Sequence, residues 1–370
     1  MKIKRRFVNL LVGIFLLIMP LAGCRQENVN VASDIEEKAQ TQGGLTVHYL
    51  DVGQGNAVLA ESEGHYMLID GGARQSSSFV VSYLEKQNVE KLDYVLISHF
   101  DEDHLSGAVG ALHKFPTDTL LVPDYEADSN IFQSYQQVVA EKGYETIHPE
   151  QGQEFSLGSA DFRIISPVSY GHEDENQDSI GIILENGAQK FFIGGDIGLE
   201  SEKEILASGT DIQADVMLMN HHGSHVSEEF FKKVSPSYSV ISCGKDNKYG
   251  HPRQDTVELI EKYKVPLFRT DIQGTILMYS DGKELTFGQE PCNDYTPGSK
   301  AETEDDTETE EFNNSNEQEC DFVLNVHTKK IHKKTCSSVE KMSEDNKSYY
   351  KGDINTLLDA GYSTCKSCNP

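Results

Sequence analysis

The chain has 370 residues, with 60 acidic side chains against 32 Lys and Arg, a formal net charge of −28 and 37% apolar composition. That length accommodates one large domain or two smaller ones. So acidic a body is repelled at long range by nucleic acid and by anionic membranes, which excludes capture of a polyanion by bulk charge and leaves capture by a local cation.

Lys2, Lys4, Arg5 and Arg6 precede an apolar segment from Phe7 to Met19, short for a membrane span and of the length of a secretory signal. Leu21-Ala22-Gly23-Cys24 resembles a bacterial lipobox. The resemblance implies removal of residues 1–23, a diacylglycerol thioether on Cys24, and a protein exported and lipid-anchored to the outer side of the cell membrane. Losing residues 1–23 removes four positive charges and no negative ones. Residues 24–44 are polar and aperiodic and read as a tether.

Residues 45–288 alternate apolar runs with turn signals. Leu45–Leu50, Tyr66–Ile69, Tyr94–Ile97, Phe162–Ile165, Ile180–Leu184, Phe191–Ile193, Val216–Met219 and Tyr238–Ser242 read as strands, and Ser77–Gln87 and Asp255–Lys264 have helical spacing. The expectation is a mixed α/β domain. The third strand runs into His99-Phe100-Asp101-Glu102-Asp103-His104. Burying two imidazoles and three carboxylates in six residues without a cation costs several kcal/mol each, so a metal is expected there. The Gly107 region after it reads as a loop entering a helix. Other strands end in Asp70-Gly71-Gly72, in Gly194-Gly195-Asp196 and in Asn220-His221-His222-Gly223-Ser224, and Tyr249-Gly250-His251-Pro252 lies in the loop after the next. Strand ends are where α/β proteins place their chemistry. Asp196, alone at a strand end, is the natural carboxylate to bridge two cations.

Taken in order, Leu50-Asp51-Val52-Gly53-Gln54-Gly55, His99-x-Asp101-x-Asp103-His104, Gly-Gly-Asp196, His221-His222-Gly223-Ser224 and Tyr249-Gly250-His251-Pro252 resemble the metallo-β-lactamase superfamily. Its usual motif is His-x-His-x-Asp-His and its fold an αββα sandwich. Within it they are most similar to the soluble hydrolase domain of the ComEC competence proteins, a domain regarded as a nuclease acting on incoming DNA. The likeness runs from about Leu45 to Phe287. Two departures stand out: the family's common Asp after Gln-Gly is Asn56 here, and no multi-span channel segment is present.

The resemblance implies one metal held by His99, Asp101 and Asp196, and a second by Asp103, His104, Asp196 and His251. Between Gly107 and Asp196, His148 and His172 read as loop decoration and not as a further ligand. Asp101 in place of an imidazole exchanges a borderline nitrogen for a hard oxygen, which moves preference towards manganese or magnesium relative to zinc. Manganese or zinc is therefore expected. One of His221 and His222 is expected to protonate the leaving oxygen or bind the substrate oxyanion, together with Asp196 in the catalytic set. Asp51, Gln54, Asp70 and Asp271 are expected to orient ligands without binding metal.

Residues 289–319 form an acidic linker, with seven carboxylates between Glu302 and Glu311. Residues 320–370 regain aromatics and carry eight lysines against six acids. A segment of this size is too small to rest on its core alone. His332-x3-Cys336 and Cys365-x2-Cys368 offer four soft ligands for a structural zinc, with a disulfide among the thiols as the alternative. Asn325-x2-Thr328-x3-His332-x3-Cys336 and Gly361-Tyr362-x2-Cys365-x2-Cys368-x-Pro370 are similar to the zinc-binding module of the Ada DNA-repair protein. Cys292 and Cys320 are candidates for a bridge across the linker or for free thiols, and Cys243 reads as a buried thiol.

The expected function is a surface-tethered, metal-dependent hydrolase of phosphodiesters, extracellular DNA first, touching the membrane only through its lipid. The alternatives are a hydrolase of small esters, lactones or a cell-wall phosphodiester, and a module that binds nucleic acid or envelope polymer without cleaving it.

Overall fold

The protein is described here from a computed structural model covering residues 44–299, 316, 319–326, 328–342, 346–359 and 362–370. The signal segment, Cys24, the tether up to Gly43 and the acidic run from Lys300 to Ser315 lie outside the described residues. Among the described residues no helix is long and apolar enough to cross a membrane.

Fifteen strands come first in chain order: β1 Leu45–Tyr49, β2 Val58–Ser62, β3 His65–Ile69, β4 Leu92–Leu96, β5 Thr117–Leu121, β6 Thr146–Ile147, β7 Glu154–Leu157, β8 Ala160–Ser166, β9 Gly181–Asn186, β10 Gln189–Ile193, β11 Val216–Leu218, β12 Tyr238–Ile241, β13 Leu267–Arg269, β14 Ile276–Ser280 and β15 Leu285–Phe287. They form two sheets, of order β15-β14-β1-β2-β3-β4-β5-β6 and β13-β12-β11-β10-β9-β8-β7. Alternation of side chains assigns each strand two faces. Leu45, Val47, Tyr49, Met67 and Ile69 of the first sheet meet Phe162, Ile164, Phe191 and Ile193 of the second in one buried layer. The opposite face of the first sheet, with Leu59, Leu68 and Val95, is covered by α1 Ser77–Lys86, α2 Glu102–Lys114 and α3 Asn130–Lys142. That of the second, with Ile183, Phe192 and Met217, is covered by α4 Leu199–Ser208, α5 Glu228–Val234 and α6 Gln254–Tyr263. The architecture is the expected αββα sandwich.

Strands β3 to β6 run parallel, as do β10 to β13. Their carboxyl ends therefore open on one edge of each sheet, and the metal-site motifs singled out in the sequence follow those ends. One expectation is corrected: Gly107 is not in a loop. Helix α2 starts at Glu102, so Asp103 and His104 stand on its first turn and Gly107 lies inside it. A Cβ on Gly107 would lie 1.8 Å from the Gly71 carbonyl oxygen, and one on Gly71 would lie 2.0 Å from the Ala108 amide. The two glycines let the helix backbone rest on the turn that follows β3.

The C-terminal residues form a smaller sheet of β16 Phe322–Asn325, β17 Lys330–His332, β18 Lys347–Tyr350 and β19 Ser363–Thr364, in the order β18-β16-β17-β19. Leu324, Ile331, Tyr350, Leu357 and Tyr362 make one small core, and Cys320, Val323, Cys336, Val339 and Cys365 another.

Candidate metal centre

Asp70 follows β3 with a left-handed φ of 57°, uncommon for a side chain larger than glycine's. The turn places its carboxylate where it accepts from the Ser98 amide (2.8 Å), the Ser98 hydroxyl (2.8 Å), Asn56 Nδ2 (3.1 Å) and His104 Nδ1 (2.8 Å). Burial opposes its ionisation, yet His104, His99 and the Ser98 amide hold it below the usual carboxylate range. Asp70 thus fixes the His104 tautomer and leaves the Nε2 lone pair pointing away, as the orienting partner of a metal-binding imidazole does.

That Nε2 is 3.2 Å from Asp196 Oδ1 and 3.2 Å from His222 Nε2. His222 repeats the design: its Nδ1 donates to the Ser242 carbonyl at 3.0 Å, and its Nε2 faces Asp103 Oδ2 and Asp196 Oδ2, both at 3.3 Å. His99 Nε2 lies 3.8 Å from Asp101 Oδ2 and 3.9 Å from Asp196 Oδ2, fully buried and without a hydrogen bond. Two donor groups result, His99, His104 and Asp196 in one and Asp103, His104 and His222 in the other.

The electrostatics say what belongs there. Burial opposes every charge; against it, Asp196 and Asp70 hold His104 well above the usual imidazole range, and Asp196 and Asp103 push His222 up to about 10. Conversely the imidazoles hold Asp196 well below the carboxylate range and Asp103 at about 2. The carboxylates draw protons onto nitrogens whose lone pairs converge. A divalent cation satisfies the same donors, including the orphaned His99 Nε2, so the residues fit a metal site.

The structure rearranges the expected ligand sets. His222 joins the second group, and His251 belongs to neither: its Nδ1 lies 3.4 Å from Gln54 Nε2, and its ring stacks on that of His222 at 6.0 Å. The reason is the turn after β11, where His221 and His222 both take left-handed φ, 49° and 56°, sending His222 inward and leaving His221 at the rim. His221 is 25% exposed, with Nε2 3.6 Å from Asp196 Oδ2. Asp101 supplies the backbone carbonyl that receives the first amides of α2, and its carboxylate stands beside His99, outside both groups. Gln54 acts as a positioning group, its Oε1 accepting the Gly244 amide at 3.2 Å. Asp51 and Asp271 stand outside both donor groups. Asp51 is exposed and its carboxylate accepts the Gly53 amide, whereas Asp271 pairs with the guanidinium of Arg269 at 2.7 Å. Sequence reasoning missed Ser98 and Ser242, whose signal was only adjacency to a motif or a strand end. His148 bonds backbone carbonyls, and His172 is held between Asp178 and Glu204.

In the small sheet His332, Cys336, Cys365 and Cys368 converge with their donor atoms within 4.8 Å of one another. The three thiols form no disulfide, and His332 Nδ1 is buried without a hydrogen bond. Burial also holds His332 below its usual range, in the neutral form that binds metal. The set suits tetrahedral zinc. The bridge considered between Cys292 and Cys320 is not formed: Cys292 donates to the Leu267 carbonyl, and Cys320 is buried in the small core.

A family model described as the metallo-beta-lactamase superfamily matches residues 50–245, more than half of the chain, and the chain belongs to that superfamily. ComE operon protein 3 of Bacillus subtilis (strain 168) is 26% identical over 268 residues, covering 67% of this chain and 34% of that protein. Competence protein ComA of Neisseria gonorrhoeae is 26% identical over 245 residues, covering 65% and 33%. The likeness to ComEC-type competence proteins is thereby borne out, for a chain spanning about a third of the length of these relatives. Among solved structures, the metallo-beta-lactamase fold protein YhfI from Bacillus subtilis shares 13% identity over 64% of this chain and 100% of its own, with a TM-score of 0.41.

Proposed function

We propose that the chain is an exported, lipid-anchored metallohydrolase that uses two divalent ions, manganese or zinc, to cleave phosphodiesters, extracellular DNA first among them, with a structural zinc in its C-terminal part. The observation carrying this reading is Asp196, which stands among two groups of buried donors and faces His104 through Oδ1 and His222 through Oδ2. When bound, such ions lower the pKa of a water and stabilise charge on a phosphoryl oxygen. His221, at the rim beside Asp196, is positioned to hold or deliver the proton that a leaving oxygen needs. The names of the relatives support DNA: two are competence or ComE operon proteins and a third is recombination protein 2 of Haemophilus influenzae, and recombination is a transaction of DNA.

The net charge of −28 favours a second reading, hydrolysis of a small ester, lactone or cell-wall phosphodiester, since a short substrate needs no electrostatic approach to the surface. Rates against single- and double-stranded DNA, bis-p-nitrophenyl phosphate, lactones and a β-lactam, each with manganese, magnesium or zinc, decide between them. The first reading expects metal-dependent cleavage of DNA and of the phosphate diester. Turnover of lactones alone rejects it, and a metal-free, inactive protein that retains DNA points to a binding module.

A further inference from the structure

The loop between β12 and α6 is pinned by one buried side chain. Asn247 Nδ2 donates to the carbonyls of Gly244 (2.8 Å) and His251 (2.6 Å), while its Oδ1 accepts the amides of Tyr249 (3.1 Å) and His251 (2.9 Å). A fully satisfied buried amide of this kind rigidifies the backbone around it. What it holds in place is a stack of rings. Tyr249 lies over His251 at 5.6 Å with 19° between planes, and His251 lies over His222 at 6.0 Å with 29°.

Tyr249, half-buried, is therefore separated from His222 of the metal centre by the ring of His251, which also meets the ring of His221 at 5.5 Å. Its phenol, a neutral hydroxyl donor at ordinary pH, lies within electrostatic reach of the carboxylates of Asp103, Asp101, Asp196 and Glu102. A lysine among those carboxylates would be bound by them; a phenol carries no charge for them to hold. The same loop brings Lys248, exposed, to 5.0 Å over the Tyr249 ring. Lys245, Lys248 and Arg253 there face a single acid, Asp246, in a chain that is otherwise strongly negative.

We propose that Tyr249 is a catalytic residue whose hydroxyl donates a hydrogen bond to a non-bridging oxygen of the phosphoryl group held at the metal centre. The assignment rests on the phosphodiester reading above. A donor fixed in advance by the Asn247 loop and the ring stack requires no reorganisation as charge grows on that oxygen.

The test uses the full metal-loaded chain and Tyr249→Phe, which keeps the ring and removes only the hydroxyl. Binding of inorganic phosphate is followed by calorimetry and hydrolysis of bis-p-nitrophenyl phosphate by absorbance. The variant is expected to lose about tenfold or more in phosphate affinity and in kcat/KM, below the effect of removing a full oxyanion-hole donor, with metal content and melting temperature unchanged. Equal phosphate affinity in the two proteins, absence of phosphate binding by the wild type, or loss of metal or of thermal stability in the variant overturns the assignment. If phosphate binding shows the loss while the wild type cleaves no phosphodiester, the substrate reading fails and the role of Tyr249 in holding phosphate stands.

Discussion

At the level of single residues, Asp196 has the largest consequence. It touches His104 through one oxygen and His222 through the other, so Asp196→Ala removes a donor from both sides of the centre at once. The variant is expected to retain its fold while losing bound metal and at least about a thousandfold in hydrolysis, read by elemental analysis beside the rate; wild-type turnover with full metal content would refute the site. Glu202 makes a pH prediction. It is buried, accepts the Ser227 amide at 2.9 Å and Asn220 Nδ2 at 3.3 Å, and burial pushes its carboxyl up to about 7 from an ordinary 4.5. A raised carboxyl pKa means that the native state holds the proton more tightly. The stabilising effect is full below about pH 4.5 and is lost as pH rises through about 7. Glu202→Gln, which cannot ionise, should gain roughly 2–3 kcal/mol over the wild type at pH 8 relative to pH 5 by denaturant titration, and a pH-independent difference would reject the argument. The residues of the centre were legible because so many charges crowd into His99–His104. The choice of His222 over His251 was not, since it depends on two left-handed residues and on the Ser242 carbonyl, neither of which leaves a pattern in the sequence.

Among elements, the eight strands read from the sequence, β1, β3, β4 and β8 to β12, carry near-continuous apolar runs, as strands covered on two sides do, whereas β2, β5, β6, β7, β13, β14 and β15 were not read. Helix α2 was expected, but its start was placed too late. Gly107 looked like a loop residue, yet the smallness of Gly107 and Gly110 serves close packing: a Cβ on Gly107 would stand 1.8 Å from the Gly71 carbonyl oxygen, and one on Gly110 would stand 2.4 Å from Ser77 Oγ. The first turn of this helix is held from two sides, the Asn56 amide donating to Asp103 O at 3.1 Å and the Gly71 amide to His104 O at 2.7 Å. Its start, with Asp101, Glu102 and Asp103 near the positive end of the helix dipole, thereby sets the position of two metal-facing side chains. Gly107→Ala pits a helix-propensity gain of about 1 kcal/mol against a backbone clash that no rotamer change relieves. The clash wins. The variant should melt lower, with a net loss of about 2–3 kcal/mol, and should bind less metal; a protein as stable and as well metallated as the wild type would show that the contact does not position the centre.

For the whole molecule, the sandwich and the small sheet solve the problem of stability differently. The sandwich has three buried apolar layers and needs no metal to account for its fold. The small sheet has two minor clusters, one made largely of cysteines. Its stability is therefore attributed to the ion that His332, Cys336, Cys365 and Cys368 can hold, because ligands brought together only in the folded state make metal binding and folding one equilibrium. The two parts touch where Lys341 pairs with Glu200 at 2.8 Å, an exposed pair that adds little stability, and where Cys365 meets Glu173 at 3.4 Å. A chain ending at Ser299 should accordingly bind one zinc fewer than the full chain, unfold at the same temperature as its main transition, and hydrolyse a small phosphodiester at the same rate, since all residues of the proposed metal centre precede that point. In the full chain, His332→Ala or chelation should expose Cys336, Cys365 and Cys368 to alkylation while leaving the main transition in place. If those thiols are protected in the metal-free, reduced protein, or if truncation abolishes hydrolysis of the small substrate, the zinc-dependent fold or the independence of the centre, respectively, is refuted.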